Sequence, residues 1–487
     1  MIKSFIFRKL KIVHKNNILC DMIITKDDYY GAKEPTSSII IGNNASGKSF
    51  ILMVIAEIFD ALDNQRNLAM LKYEYYDLGY RYNRDEYRIM IINRSLNVYK
   101  NGIEVGKEEL KLPQKVLGVS YMLNDKFKFK TDNETIYQYL GIRLTSNSSY
   151  TSTISNKLFD NFFGLMTNKR LSNIITNISD FLDIDSKIMF TITPTTKRFF
   201  TYSKSEKMIK NRITKYKNDY RYEQLIKLEK SDIKNIINFL DEIGQNKKYI
   251  IENDKQVYKF IVTTADNDNK RLKLINDYKI IRNLRNLGYI KSTSLTLYKN
   301  GIAYPFEDAS SGEKHFIYEL VSIANNIKNN ALILIDEPEI SMHPNWQMRY
   351  ISTLKNVFSD FPSCHFIIAT HSHYLVSDLN PQSSSLISID YNSITKERKS
   401  ELLDYSTYAW SAENILYNVF GVRTTRNFYF EMDMRTLLKI ISQKDYKQLE
   451  YARELCEKLK KYVYDEKDPL CRIIDAAEEF VESDKTD

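Results

Sequence analysis

Cysteine is scarce and scattered: Cys20, Cys364, Cys456 and Cys471 are the only four in 487 residues, and no two form a C-x-x-C pair. That excludes a disulfide framework and a cysteine zinc site, and it fits a reducing compartment. No run of 18 apolar residues occurs, so no membrane-spanning helix is expected. The opening stretch, M-I-K-S-F-I-F-R-K-L, is too charged and too short in its apolar part for a signal peptide. A cytoplasmic protein without membrane contact is the expectation. Only six histidines are present and none follows His373, which excludes a histidine–metal nuclease in the carboxyl-terminal tail.

A chain of 487 residues, 43% hydrophobic, exceeds what one core usually holds, so two or three structural units are expected. The formal charge is +8, and it is uneven: Lys197 to Ile290 holds 22 Lys and Arg against 12 Asp and Glu. Nucleic acid or an acidic partner would explain that surplus. So would a lysine-rich solvated surface in a chain that uses Asn, Lys, Ile and Tyr heavily.

The most informative segment is Ile40 to Phe50, I-I-G-N-N-A-S-G-K-S-F. It carries G-x-x-x-x-G-K-S between an apolar strand-like run (Ser38 to Ile41) and a helix-like stretch (Phe50 to Phe59). At this glycine content the bare pattern arises by chance in roughly one chain in a hundred. In a phosphate-binding loop, Gly42 and Gly47 let backbone N–H groups of Asn43, Asn44, Ala45, Ser46 and Phe50 turn toward phosphates. Lys48 would reach the β and γ oxygens and Ser49 would offer its hydroxyl to Mg²⁺. The helix that follows points its positive end at the anion. ATP and Mg²⁺ are the expected cofactors.

Three further segments fit that loop. Ala331 to Pro338, A-L-I-L-I-D-E-P, reads as a strand buried on both faces that ends in two acids. Asp336 would hold Mg²⁺, and Glu337 would orient and deprotonate the attacking water. Asp308 to His315, D-A-S-S-G-E-K-H, opens a helix-like stretch. Its Ser310, Ser311, Gly312 and Glu313 form either a plain helix cap or a second anion site. Cys364 to Ser372, C-H-F-I-I-A-T-H-S, is a strand ending in His371, placed to touch a γ-phosphate. Each segment alone has an ordinary structural explanation; their order along one chain does not.

That order resembles the ABC-type ATPases of the SMC/RecF and OLD-like group, over Met1 to about Asp60 and about Ala303 to Asp378. S-S-G-E-K looks like the family's signature motif, D-E-P-E-I-S-M-H-P like its Walker B and D-loop, and T-H-S-H-Y-L like its switch-histidine region. The resemblance implies an α/β fold: an ABC-type P-loop ATPase head with an inserted helical lobe and a helical carboxyl-terminal tail. It also implies ATP sandwiched between two heads, so the working unit is a homodimer or larger. Each nucleotide would meet Lys48, Ser49, Asp336, Glu337 and His371 of one chain and Ser311, Gly312 and Glu313 of the other. The outer segments, Tyr137 to Arg143 and Ser411 to Val422, are most similar to the PtuA family, ATPases of Septu anti-phage systems and of retrons that carry the same pair. That likeness implies an HNH nuclease partner of the PtuB type, and in retrons a reverse transcriptase and its nucleic acid. The family's Q-loop strand corresponds to Val116 to Phe127, but no glutamine follows it; Asn124, Asp125 and Gln114 are the candidates.

Along the chain, residues 1–145 read as the first half of the head and 146–290 as a mainly helical, basic insertion. Residues 291–405 read as the second half of the head and 406–487 as a helical segment for partner or oligomer contact. Within the insertion, Asn156 to Ile243 reads as helical, including Y-E-Q-L-I-K-L, before strand-like Tyr249 to Thr264. Its heptads are too broken for a long rod. Hairpin-like turns are expected at Asn101-Gly102 and Asn300-Gly301. No nuclease is evident: Glu431 and Asp433 lie in no TOPRIM-like strand pattern, and Asp390 with Glu397-Arg398-Lys399 mimics a D…E-x-K site without a core of its own. The expectation is an ATPase without intrinsic nuclease activity that regulates a separate effector. The alternative is a RecF- or SMC-like repair ATPase whose nucleotide state gates DNA binding.

Overall fold

The computed structural model describes residues 4–26, 33–122, 124–130, 135–143, 151–201, 206–216, 228–377, 379–392, 394, 397–404, 407–420, 427–443, 446–463 and 469–482. It divides into two compact units, Met1–Ile415 and Leu416–Asp487.

The first unit is α/β. Its strands are β1 (Phe5–His14), β2 (Asn17–Ile23), β3 (Thr36–Gly42), β4 (Tyr75–Tyr82), β5 (Asp85–Ile92), β6 (Ser95–Lys100), β7 (Ile103–Val105), β8 (Val116–Ser120) and β9 (Tyr137–Tyr139). They continue with β10 (Lys187–Pro194), β11 (Tyr249–Glu252), β12 (Lys255–Thr263), β13 (Ile290–Lys299), β14 (Ile302–Pro305), β15 (Leu332–Asp336), β16 (His365–Thr370), β17 (Ser384–Asn392) and β18 (Glu397–Leu402). The helices are α1 (Lys48–Asp63), α2 (Thr151–Thr167), α3 (Leu171–Leu182), α4 (Glu206–Tyr216), α5 (Lys230–Gln245), α6 (Asp268–Asn286), α7 (Ser311–Asn326) and α8 (Pro344–Val357). A short α9 (Ala412–Asn418) spans the boundary between the units.

A 13-stranded sheet runs β7-β6-β5-β4-β1-β2-β18-β17-β3-β16-β15-β8-β9. Its β17-β3-β16-β15-β8-β9 portion is parallel. The central strands are buried throughout, which is why Ile39–Ile41, Ile333–Ile335 and Phe366–Ile368 are continuous apolar runs. The β7-β6-β5-β4-β1-β2 portion is antiparallel and built from tight hairpins. Asn93-Arg94 and Asn101-Gly102 adopt the paired positive φ values (47° and 72°, 51° and 83°) that two-residue turns require. Helix α1 packs against strands β3, β8, β15 and β16 of the parallel portion, and at the antiparallel one Phe59 lies 6.0 Å from Phe5, 6.0 Å from Phe7 and 5.9 Å from Tyr80.

The insertion holds helices α2–α6 and strands β10–β12, and β13 and β14, which follow its expected end at 290, complete a five-stranded antiparallel sheet ordered β11-β12-β10-β13-β14. One strand lies inside the stretch read as helical: β10 alternates, burying Ile188, Phe190 and Ile192 against β12 and β13. Tertiary pairing decided it, since eight residues are too few for a strong local signal. Most of Y-E-Q-L-I-K-L lies outside the described residues. The second unit contains α10 (Phe428–Gln443), α11 (Leu449–Lys460) and α12 (Pro469–Glu482). Their apolar stripes meet in a small core of Met434, Leu437, Ile440, Leu455, Leu459 and Ile474. Among the described residues no helix is long and apolar enough to cross a membrane.

Candidate functional site

Parallel strands carry their following loops to one edge of a sheet. Here β3, β16 and β15 are neighbours in register, Ile40 against Ala369 and Ala369 against Asp336. The loop after β3, the two acids ending β15 and the histidine after β16 therefore converge, which no spacing in the sequence alone requires.

The loop between β3 and α1 is held by backbone geometry. Ala45 has φ 64° and Gly47 has φ 97°, both left-handed. A Cβ on Gly42 would sit 2.1 Å from the Ile389 carbonyl oxygen, and one on Gly47 would sit 2.2 Å from Arg398 Nε. Asn43, Asn44 and Ala45 are exposed, and Ser46 is buried. The Ser46 hydroxyl has no hydrogen-bond partner among the described residues. An orphaned buried hydroxyl inside a glycine-bounded loop at a helix start fits a phosphate cradle.

Lys48 is 4% exposed. Its Nζ donates to the carbonyls of Gly42 (2.9 Å) and Asn43 (3.4 Å) and lies 2.7 Å from His371 Nε2. Burial pulls its pKa down to about 8, against the opposing pull of Glu337, Glu339 and Asp336. The His371 pKa is lowered, first by desolvation and then by the Lys48 charge, against the opposing pull of Glu337. Its backbone N–H donates to Glu339 Oε1 at 2.6 Å. Ser49 Oγ donates to Asp336 Oδ1 at 2.9 Å. Burial drives the Asp336 carboxyl up to about 7, only partly offset by that bond. A divalent cation would bring it back to the ionised form. Glu337 has φ 50°, and its Oε1 lies 3.6 Å from His371 Nε2. A left-handed glutamate at a strand end is a constrained position of the kind found at working sites. Lys48, Ser49, Asp336, Glu337 and His371 thus form one cluster.

Ser310, Ser311, Gly312 and Glu313 form a separate feature at the start of α7. Ser310 Oγ accepts from Glu313 N at 3.2 Å, and Ser310 N donates to Glu313 Oε2 at 2.7 Å, a reciprocal capping box. The Glu313 carboxylate is therefore engaged within its own chain, and also receives the Tyr304 hydroxyl at 3.4 Å. The N–H groups of Ser311 and Gly312 head the helix and have no intrahelical acceptor. Gly312 sits against the Ser341 carbonyl, 2.5 Å from where a Cβ would lie. The capping box uses the N–H groups of Ser310 and Glu313 and leaves those of Ser311 and Gly312 unused by it.

Residues 143–377 match the family model described as "AAA domain, putative AbiEii toxin, Type IV TA system". The chain is 27% identical over 237 residues to "Septu protein PtuA" of Bacillus thuringiensis, a match covering 44% of this chain and 59% of that protein. It is 24% identical over 418 residues to "Retron Vc95 probable ATPase" of Vibrio cholerae serotype O1 biovar El Tor, covering 80% of this chain and 76% of that protein. Among solved structures, the Smc head domain with a coiled coil and joint derived from Pyrococcus yayanosii aligns with 12% identity and a TM-score of 0.35, over 85% of this chain and 99% of that one. In sequence the chain is thus similar to PtuA and to retron ATPases. Families of this kind bind nucleotide, generally with Mg²⁺.

Two of the three Q-loop candidates, Gln114 and Asp125, are placed elsewhere by the structure. Gln114 precedes β8, and its N–H donates to the Asn330 carbonyl just before β15, at the opposite edge of the sheet from Lys48. Asp125 is committed elsewhere. It accepts from Arg143 Nη2 (2.7 Å) and Nε (3.0 Å), from the Tyr139 hydroxyl (2.7 Å) and from Phe127 N (3.0 Å). Asn124 is exposed and remains. Sequence reasoning missed Arg398 as part of the site. The β17–β18 hairpin is a part of the central sheet, and it turns Arg398 onto the phosphate loop. Its Nε donates to the Ser46 carbonyl (3.0 Å), its Nη1 to the Leu19 carbonyl (3.3 Å), and its guanidinium lies 4.6 Å from the Phe50 ring centre. Its neighbours Glu397 and Lys399 alternate to the other face and are exposed. The signal was present in that alternation.

Proposed function

We propose that this chain binds and hydrolyses ATP with Mg²⁺, and does so between two copies of its head. The observation that carries the reading is the buried, carboxylate-surrounded Lys48 beside Ser49–Asp336 and Glu337–His371. Such a cluster of cation, hydroxyl and carboxylates at a helix start is matched to a triphosphate and a divalent cation. Gly42 to Phe50 would supply backbone donors to the phosphates, with Lys48 on the β and γ oxygens. Ser49 and Asp336 would hold Mg²⁺, which supplies charge neutralisation when bound. Glu337 would take the proton of the attacking water, and His371 would contact the γ-phosphate. Ser310, Ser311, Gly312 and Glu313 would face the nucleotide of the partner head through the N–H groups at the start of α7, with Glu313 fixing the cap.

The likeness to a Septu protein and to a retron ATPase supports placing this activity in anti-phage defence. There the chain would act as the sensor and regulator of a separate nuclease, of the HNH class in the Septu-like arrangement, without nuclease chemistry of its own. In a retron setting it would also meet a reverse transcriptase and its nucleic acid. The test is phosphate release and DNA cleavage by the purified full chain. ATP turnover that needs Mg²⁺, without cleavage of single- or double-stranded DNA, is expected. Metal-dependent cleavage by this chain alone would overturn the division of labour, and an absence of nucleotide binding would overturn the whole reading.

A further inference from the structure

A cavity of about 480 Å³ lies where the insertion meets β9, the end strand of the large sheet. Its walls come from α2, α6, β9 and the second half of α7, and none of its lining residues belongs to the phosphate loop or the acids after β15. We propose that this cavity is a second ligand site, and that it takes a nucleoside phosphate, either free or at the end of a single nucleic-acid strand.

The charge balance calls for an anion. Lys130, Lys157 and Arg282 line the cavity, against one carboxylate, Asp160. That carboxylate is already neutralised: it accepts from Arg285 Nη2 at 2.6 and 2.7 Å and from the Tyr278 hydroxyl at 3.2 Å. Lys130 is paired with Asp60. The contacts of Lys157 Nζ are the carbonyls of Gly141 (3.4 Å) and Arg143 (3.2 Å), at the long end of hydrogen-bond range. Burial lowers its pKa. A half-buried ammonium without a carboxylate is costly, and an anion in the cavity removes that cost.

The remaining polar groups call for a base rather than bare phosphate. Gln138 of β9, Asn161 of α2 and Asn325 and Asn326 of α7 are four carboxamides lining the cavity, each carrying donors and an acceptor together. They fix one another: Gln138 Nε2 donates to Asn326 Oδ1 (2.8 Å), Asn325 Nδ2 to Asn161 Oδ1 (3.0 Å), and Asn161 Nδ2 to Ser322 Oγ (3.0 Å). Asn326 Nδ2 also donates to the Ser322 carbonyl (2.8 Å), and Asn161, Asn325 and Asn326 each keep a second amide hydrogen beyond these bonds. Carboxamides match the adjacent donor and acceptor on a base edge. Aromatic faces complete the set, with Tyr278 stacked on Phe163 at 4.5 Å. Cations, carboxamides and stacking rings are the groups that nucleotide binding uses, and the volume suits a small ligand. Asn325 and Asn326 lie on α7, the helix that Ser311 opens. Occupancy would therefore bear on the signature helix, a consequence that rests on the ATPase reading; binding itself does not.

The test uses the full chain carrying Lys48→Ala, which removes nucleotide affinity at the phosphate loop. Ribonucleoside 5′-monophosphates, a short 5′-phosphorylated oligodeoxynucleotide and inorganic phosphate are titrated calorimetrically. At least one monophosphate or the oligonucleotide is expected to saturate one site per chain, with inorganic phosphate competing only weakly. Binding by monophosphates alone assigns a free nucleotide; binding by the oligonucleotide alone assigns a strand end. Arg282→Glu, at an exposed position, and Lys157→Met are each expected to weaken binding roughly tenfold or more. If Lys157→Met does not fold, Arg282→Glu decides. No saturable binding, binding unchanged by Arg282→Glu, or phosphate binding as tightly as any nucleotide would each overturn the proposal. ATP turnover of the chain with Lys48 intact is measured separately: normal turnover with no cavity binding defeats the cavity alone, and the reverse defeats the head reading alone.

Discussion

Replacing Gly47 by alanine has a cost that the structure divides into two parts. The first is backbone strain. Gly47 sits at φ 97°, where an L side chain costs about 1–2 kcal/mol. The second is a collision, because the new Cβ would lie 2.2 Å from Arg398 Nε. Arg398 is flexible and would swing away, so the penalty is bounded by what it gives up. That is two hydrogen bonds from a charged donor, to the Ser46 and Leu19 carbonyls, and its place over the Phe50 ring. Partial exposure and the 3.3 Å length of the Leu19 bond put these below their usual range, at about 2–3 kcal/mol together. Gly47→Ala should then destabilise by about 3–5 kcal/mol and Arg398→Ala by about 2–3. The double variant should be no worse than Gly47→Ala, because the contact it destroys is already gone. Urea unfolding of the four proteins gives the coupling directly, expected at about 2–3 kcal/mol. Additivity within about 0.5 kcal/mol would refute the claim that Arg398 braces the phosphate loop.

Glu337→Gln should lower ATP turnover by ~10²–10⁴ while leaving ATP affinity intact, as loss of a general base does; unchanged turnover in a steady-state phosphate assay removes Glu337 from that role. Arg143→Met strands the fully buried Asp125 carboxylate and should cost about 3–5 kcal/mol of stability; a loss under about 1 kcal/mol in urea unfolding would show that the carboxylate finds other partners. Burial raises the Asp277 carboxyl from 3.8 to about 6. Between those values the folded chain holds a proton that the unfolded chain has released. Stability therefore falls as pH rises through that window, by roughly 2–3 kcal/mol in all, and stays lost above it. Asp277→Asn should flatten that slope and raise the melting temperature at pH 8; a parent protein whose stability does not fall between pH 4 and 6 contradicts this.

The fold was most legible where the chain repeats a simple physical pattern. Ile333–Ile335 read as a strand buried on both faces, and Ile39–Ile41 and Phe366–Ile368 as strands, because covered faces leave each an unbroken apolar run. Asn101-Gly102 read as a turn because few residues tolerate its positive φ values. Strand β10 was not legible as such: Ile188, Phe190 and Ile192 alternate too briefly to stand out from the helices on either side. In the site, G-x-x-x-x-G-K-S and I-D-E-P carry their chemistry in the spacing itself. Arg398 does not, because its contact with Ser46 spans 352 residues and depends on the register of β17 against β3. S-S-G-E was legible as a helix cap, but the reciprocal closing of Glu313 on Ser310 was not, since a capping box forms whatever lies beyond the helix. Asp125 and Gln114 were ambiguous for a similar reason: composition says a polar residue follows a strand, and only the fold says which edge it reaches.

The central claim is that two copies of this chain complete one another's nucleotide sites. Mixing two single variants tests it most directly: Lys48→Ala, which disables the chain's own phosphate loop, and Ser311→Arg, which blocks the start of α7. Each alone should be inactive. Together they form a mixed pair with one intact composite site, so ATP turnover should appear on mixing and rise with the fraction of mixed pairs. Turnover that stays at the sum of the two separate proteins, while both remain folded, would contradict the account.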